Sequence, residues 1–301
     1  MSFFINSEND GKNSNNWLNL SEKLPDNTLL FFLSNDYKIY QEVRSKIRLN
    51  FVPIYSVLRN NSEFFKNSEI AQIDQSDNII SPYFCPNNPK LEPLLRSDIE
   101  FLCEFPQIAG VQLENLEMPL LSPNSGCFCP YCSSLAEEKN IDLNEISAIL
   151  KDRAQNGLNL NWIRKKFPDW LKFRMNSISN LAGKLMVMIR GINPDLFLGL
   201  NINFSKTPEK LAQNYFFLAL FLDSLNFSID LRSKVKEKGL LKQIRTVTKK
   251  FVGDINLYLQ IKVPNGFNLN NIKKFIKYAK KYSFDGLIFN ISTPDELKKF
   301  I

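Results

Sequence analysis

Short apolar runs of strand length recur along the chain, separated by stretches whose apolar residues fall at helical spacing. Eight runs read as strands: Ser2 to Asn6 (SFFIN), Thr28 to Ser34 (TLLFFLS), Asn50 to Leu58 (NFVPIYSVL), Ala109 to Leu116 (AGVQLENL), Leu196 to Asn203 (LFLGLNIN), Leu225 to Leu231 (LNFSIDL), Asn256 to Val263 (NLYLQIKV) and Gly286 to Ser292 (GLIFNIS). Between them, DYKIYQEVRSKIR, WLKFRMNSISNLAGKLMVMIRGI and NNIKKFIKYAKKY carry the helical period. Eight such units in 301 residues predict an α/β fold, a single (β/α)8 TIM barrel domain over residues 1–301. A doubly wound sheet is the alternative, disfavoured because the strand count reaches eight with none left over.

Residues two apart in a strand share a face, so alternation gives orientation. Phe227, Ile229 and Leu231 make an apolar face to lie under helices, which turns Asn226, Ser228 and Asp230 inward. The same rule turns inward Tyr258, Gln260 and Lys262, Asn201 and Asn203, Ile288 and Asn290, Gln112 and Glu114, and Asn6 and Glu8; Tyr55 is read as inward too. Burying an unpaired polar group costs about 1–3 kcal/mol, so six strands with polar interiors call for a reason. Either the residues form a polar plug and satisfy one another, or they line a pocket for a polyhydroxylated or amide-rich ligand at the carboxyl ends of the strands. Two long connections, Asn60 to Ser81 and Leu120 to about Asp169, follow strands three and four and overhang that face as candidate walls or lids.

Composition narrows the classes. The net charge of +7 is spread over helical segments without a recognition motif, which reads as solvated helix faces and not as a nucleic-acid partner. The longest apolar runs, LFLGLNI and YFFLALFL, are too short to span a bilayer, and MSFFINSENDGKN lacks a basic n-region. A cytoplasmic protein without a membrane partner is expected; the pattern fixes no oligomeric state. The chain has no histidine, which excludes Ser-His-Asp and Cys-His nucleophile systems and imidazole acid/base work. Carboxylates, Lys, Tyr, Cys or a cofactor remain.

Cys127, Cys129 and Cys132 form C-x-C-x-x-C, close enough to bind one ion. A closed tetrahedral zinc site needs a fourth ligand, and without histidine that is Cys85, Cys103 or a carboxylate; Cys85 in YFCPNNP, on the same barrel face, is the choice, since Cys103 in DIEFLCEF reads as helix core. Structural zinc on these four thiolates would clip the insertion over residues 120–169. Disulfides, a reduced cysteine cluster and an iron–sulfur cluster compete with this reading. A cytoplasmic setting argues against the first, and the radical-SAM spacing C-x3-C-x2-C against the last.

At these residues the chain resembles barrel glycoside hydrolases, including the family 42 β-galactosidases and related glycosidase-like proteins. CPNNPKLEPLL is similar to the group's Cys-Pro before a helix, GVQLENLEMP to its fourth strand, CFCPYCSSLAEE to its cysteine loop and WLKFRMNSI to its W-x-x-F-R helix, over about Cys85 to Ile178. Further on, FDGLIFN is similar as well. The resemblance implies a barrel that takes a carbohydrate and holds zinc on its cysteine loop. Glu114 stands where the group has Asp, Glu117 where it has Arg, and Asn115-Leu116 where β-galactosidases have Asn-Glu. In the seventh strand, where retaining members place a nucleophilic Glu, the chain has Gln260 and Lys262.

Glycoside hydrolysis needs two carboxyl groups flanking the bond. Glu114 at the end of strand four is the first candidate, Asp230 the second, Glu117 a replacement for it and Glu8 a weaker third. Tyr55, Asn201, Asn203, Gln260, Lys262 and Asn290 would orient sugar hydroxyls. Trp162 is a possible sugar platform and Trp170 reads as helix packing. Two functions follow: a carboxylate glycosidase, or a degenerate barrel that binds a glycan or acts as a scaffold without turnover. An ion pair of Glu114 with Lys262 or Arg232 would favour the second.

Overall fold

The structure is a computed structural model describing residues 2–6, 29–33, 50–59, 68–104, 108–119, 126–153, 159–203, 208–230, 255–262 and 270–291. In chain order the elements are β1 (Ser2–Asn6), β2 (Leu29–Leu33), β3 (Asn50–Ser56), β4 (Ala71–Ile73), β5 (Ile79–Phe84), α1 (Leu91–Cys103), β6 (Gly110–Glu114), α2 (Pro130–Glu137), α3 (Leu143–Arg153), α4 (Leu160–Lys166), α5 (Pro168–Ile192), β7 (Phe197–Asn203), α6 (Tyr215–Leu218), β8 (Ser224–Asp230), β9 (Asn256–Lys262), α7 (Asn270–Lys281) and β10 (Gly286–Ile291). Each run expected as a strand coincides with one to within two residues at either end. The helix expected over DYKIYQEVRSKIR lies outside the described residues.

The fold is mixed α/β, built on a curled parallel sheet. Its strands hydrogen-bond in the order β1-β10-β9-β8-β7-β6-β3-β2, and β1 pairs with β2 as well as with β10. Parallel strands need crossovers, and the described crossovers are helical and cover the outer face. In α1, Leu91, Leu95, Ile99 and Leu102 recur at helical spacing and are buried. In α5, Pro168 opens the first turn, and Ile178, Leu181, Ala182, Leu185 and Ile189 are among its buried residues. They join Val111, Leu113, Leu198, Leu200, Phe227, Leu259 and Ile261 of the sheet in one core. A second apolar cluster, Phe31, Val52, Ile54 and Ile288 with Tyr258 and Phe197 packed against it, is drawn from the opposite strand faces.

Tyr55 corrects the expected orientation. Its neighbour Ile54 takes the inner face, and the Tyr55 hydroxyl donates to Asp98 Oδ2 of α1 at 2.8 Å. Phe51, Val52, Ile54 and Tyr55 are apolar or amphipathic on both faces, so alternation carries no direction there. The first long connection also holds an unexpected hairpin, β4 antiparallel to β5. Asp74 Oδ1 accepts the Ser76 and Asn78 N–H groups at its turn, at 2.7 and 2.9 Å. The second long connection folds as α2, α3 and α4 around a separate core that includes Ile146, Leu150, Ile163, Phe167 and Trp170. Gly126 enters it at φ +136°, with the Phe128 and Trp170 rings 3.0 Å from where a Cβ would sit. No helix among the described residues is long and apolar enough to cross a membrane.

Candidate functional site

The sheet interior is polar on the β6 to β9 side. Gln112 and Ser224 are fully buried, Asn226 is 1% exposed, Gln260 3% and Asn201 8%. Ser224 Oγ donates to Asn226 Oδ1 at 3.2 Å, and Asn226 Nδ2 donates to Asn201 Oδ1 at 3.3 Å. The Gln112 amide oxygen, oriented by its surroundings, accepts the Leu200 and Asn201 backbone N–H groups at 2.8 and 2.9 Å. Gly199 makes this packing possible, because a Cβ there would lie 2.2 Å from the Gln112 amide. At this depth Gln112, Asn201, Ser224 and Asn226 form one hydrogen-bonded network, while Asn201 Nδ2 and Gln260 Oε1 are buried with no partner among the described residues.

The carboxyl end of β6 opens differently. The backbone after Glu114 turns through Asn115 at φ 52°, whose Nδ2 donates to Ser56 Oγ at 2.7 Å; Ser56 Oγ in turn donates to the Arg59 carbonyl. Leu116 then drops into the core, fully buried, and the chain presents Glu117. Glu114 and Glu117 are both half-buried. Burial pushes the Glu117 carboxyl up to about 7; the Arg59 charge opposes this and the Glu114 charge adds to it. The Arg59 guanidinium lies 5.8 Å from the Tyr83 ring centroid, and the two residues form an isolated backbone bridge. The Tyr83 hydroxyl is raised by burial, lowered by Arg59 and raised by Glu117. Two carboxyl groups, one of them pushed up to about 7, with a cation and a phenol in electrostatic reach, are residue types that acid/base chemistry uses.

Of the expected catalytic residues, Glu114 and Glu117 are the two whose side chains are described, and Glu117 feels the Glu114 charge. The side chains of Asp230, Asn203, Lys262 and Asn290 lie outside the described residues, as do Glu8 and Arg232. The backbone register pairs Asp230 with Lys262 and Lys262 with Asn290 at the ends of β8, β9 and β10. Trp170 is buried and stacks under Arg174, and Trp162 meets Phe167 edge-on at 5.7 Å. Arg59 and Tyr83 escaped the sequence reading: the first is one charge after a strand, the second an aromatic in the unexpected strand β5, and neither has a periodic signal.

The four cysteines converge beside this mouth. Cys85, Cys127, Cys129 and Cys132 are buried, and their sulfurs all lie within 4.8 Å of one another. Cys85 Sγ is 3.5 Å from both Cys129 Sγ and Cys132 Sγ. Asn87 Nδ2 donates to Cys132 Sγ at 3.3 Å and to Ser177 Oγ at 3.0 Å, tying the cluster to α5. Cys85 follows β5, its N–H donating to the Ile70 carbonyl, and the Phe128 N–H donates to the Ile73 carbonyl. The cluster thus joins the hairpin to the helical insertion. Four thiols so close cannot all ionise unaided: mutual hydrogen bonds push Cys85 and Cys132 up and Cys129 down. The donor set can bind a metal. Cys103 sits apart at the end of α1, raised to about 11 by burial.

The parallel sheet with its outer helices is a glycosidase-like fold, shared with solved glycoside hydrolase structures. Among solved structures, the chain is similar to the β-galactosidase from Rahnella sp. R3 (TM-score 0.64, 12% identity, 96% of this chain and 50% of that one). It is similar as well to the β-galactosidases from Bacillus circulans sp. alkalophilus (0.61, 13%, 96% and 50%) and from the psychrophilic Marinomonas ef1 (0.63, 8%, 96% and 53%). The chain spans about half the length of these structures. No family model and no curated protein matches it.

Proposed function

We propose that the chain is a carbohydrate-active (β/α)8 barrel of glycosidase type, with Glu117 as the proton donor and Glu114 as its charged partner. The observation that carries this is the Glu117 carboxyl, held at about 7 by burial beside the Glu114 charge. A protonated carboxyl donates to the departing glycosidic oxygen, while an ionised one acts on the opposite side of the sugar as base or nucleophile. Arg59 and Tyr83 would orient hydroxyl groups. Asp230 at the end of β8 remains the alternative second carboxylate. The β-galactosidase names of the similar structures support a carbohydrate ligand.

The register supports the barrel, read as one domain. Followed through β2, β1, β10 and β9, Val52 leads to Asp230; followed through β6 and β7, Ile54 leads to Ser224. Ile54 lies two residues beyond Val52, so the first route from it ends two beyond Asp230, eight past Ser224. That slip is the shear of about 8 of a (β/α)8 barrel. The cysteine set supports zinc: a tetrahedral ion at about 2.3 Å from each sulfur places the sulfurs about 3.8 Å apart, within the separations found here. Four thiolates leave no open position, so the ion would brace the wall and take no part in the reaction.

A second reading has its own support. Gln260, buried at 3%, occupies the strand where the resemblance places a nucleophilic carboxylate. A barrel that binds a glycan without turnover would have this interior. A panel of aryl glycosides, assayed with the wild-type chain and Glu114→Gln, separates the two. Turnover that disappears in the variant supports the hydrolase. Sugar binding by calorimetry without turnover supports the second reading.

A further inference from the structure

The segment from Leu116 to Pro119, which carries Glu117, is held from its buried side. Gln213, 1% exposed, donates from Nε2 to the Leu116 carbonyl at 3.1 Å. Arg174 of α5, also 1% exposed, donates from Nη2 to the Pro119 carbonyl at 3.3 Å, and its guanidinium lies 5.4 Å from the Trp170 ring centroid. Between these two points the Met118 N–H donates to the Leu211 carbonyl at 3.0 Å. A four-residue stretch thus receives two side-chain donors and gives one backbone donor, all toward the turn before α6 or toward α5. Carbonyls at a strand end normally find water; here they are met by long polar side chains buried almost completely.

That burial is expensive to maintain. Among the described residues, Gln213 Oε1 and Arg174 Nε have no hydrogen-bond partner, Arg174 Nη1 donates to the Glu209 carbonyl at 3.5 Å, and no carboxylate forms an ion pair with Arg174. A buried guanidinium without a counter-ion is among the costlier arrangements a core can contain. Packing alone would be served better by Leu or Met at either position. The cost makes sense if what matters is where these donors hold the backbone.

We propose that Gln213 and Arg174 are positioning residues for Glu117, clamping the carbonyls on either side of it so that its carboxyl stays in the half-buried mouth between Arg59, Glu114 and Tyr83. The proposal rests on the reading that Glu117 is a working carboxylate of this site. Neither residue touches the reacting atoms; both act through the Leu116–Pro119 backbone. Tyr215, two residues after Gln213, feels the same carboxyl: its buried hydroxyl is raised by burial first and by the Glu117 and Glu209 charges next.

The test reads Glu117 itself. Carboxyl-carbon NMR on chain labelled at glutamate, assigned with Glu117→Gln, follows its titration in the wild type, in Gln213→Leu and Gln213→Met, and in Arg174→Lys. Ile163→Val, in the separate core of the insertion, is the control for a general loss of stability. The clamp predicts that both Gln213 variants lower the Glu117 midpoint by about one unit or more toward 4.5, because a released loop lets the carboxyl reach water. Arg174→Lys, which keeps a donor, should shift it less than either. A midpoint unmoved in both Gln213 variants, with melting temperature lowered as in the control, would overturn the clamp. Turnover of aryl glycosides distinguishes the two ideas: a shifted midpoint without turnover sinks the hydrolase and keeps the clamp, while turnover with an unmoved midpoint does the reverse.

Discussion

The protein gathers acidic groups in two places and builds the places oppositely. Four thiols are buried together within 4.8 Å, between a hairpin and a helical insertion. Two carboxyls are left half-buried at the end of β6, with Arg59 and Tyr83 beside them. The first arrangement is closed, and its sulfurs could all ionise only around a cation, because four thiolates repel and have no water to screen them. The second is open and needs only a proton, which Glu117 can hold or release near neutrality. Burial and enclosure, more than residue type, decide which group of acids braces the fold and which is free to react.

Under the zinc reading, chelation should have the largest effect. Structural zinc contributes about 10–16 kcal/mol of apparent binding in small zinc domains, so even a part of this is large against ordinary stability. Chelation, or Cys85→Ser, is expected to lower the melting temperature by about 10 °C or more in calorimetry, and metal analysis should find one ion per chain. A chelated chain that melts like the untreated one would remove the contrast between the two sites.

Next in size is the loss of either mouth carboxyl. Glu117→Gln or Glu114→Gln should reduce turnover of an aryl glycoside by about 10²–10⁴-fold. Melting temperature near neutral pH should rise for Glu117→Gln, whose amide cannot ionise in its buried place, and fall by no more than about 2 °C for Glu114→Gln. Parallel losses of activity and stability would mean that the pair is structural, like the cysteines.

A smaller effect separates Glu117 through pH. Its carboxyl goes from 4.5 when unfolded to about 7 when folded, so the native state holds the proton more tightly. The stability this group contributes is complete below about pH 4.5 and is lost as pH rises through about 7. Screening at the open mouth limits it to about 1–3 kcal/mol. Glu117→Gln cannot ionise, so by urea unfolding it should match the wild type near pH 4 and exceed it by that amount at pH 8. Equal stability at both pH values would place Glu117 in water.

The interior of the sheet was legible as polar from strand alternation alone, since Asn201, Asn226 and Gln260 stand opposite apolar residues in their strands. Whether those groups form a pocket or a plug was not, because that depends on distances such as the one Gly199 leaves for the Gln112 amide. The cysteine site was legible because three ligands fall within six positions and histidine is absent. The β4–β5 hairpin was hidden: β4 has three residues, and Gln72 Nε2 donates across to the Phe84 carbonyl in place of a long ladder. Arg59 and the tethers on Leu116 and Pro119 were hidden for the same reason, being long-range contacts with no period in sequence.

The smallest effect concerns Tyr55, placed in the ligand pocket by sequence and against α1 by structure. Tyr55→Phe should cost about 1 kcal/mol through loss of its hydrogen bond to Asp98 and leave sugar binding unchanged. Weakened sugar binding would return Tyr55 to the mouth.

The central claim is that the mouth carboxyls form a working acid pair, and the pH dependence of kcat/KM on a reactive aryl glycoside tests it most directly. The account predicts a bell whose basic limb falls near pH 7, where Glu117 loses its proton, and whose turnover collapses in Glu117→Gln and Glu114→Gln. A profile flat through pH 7, with both variants turning over at the wild-type rate, would contradict it.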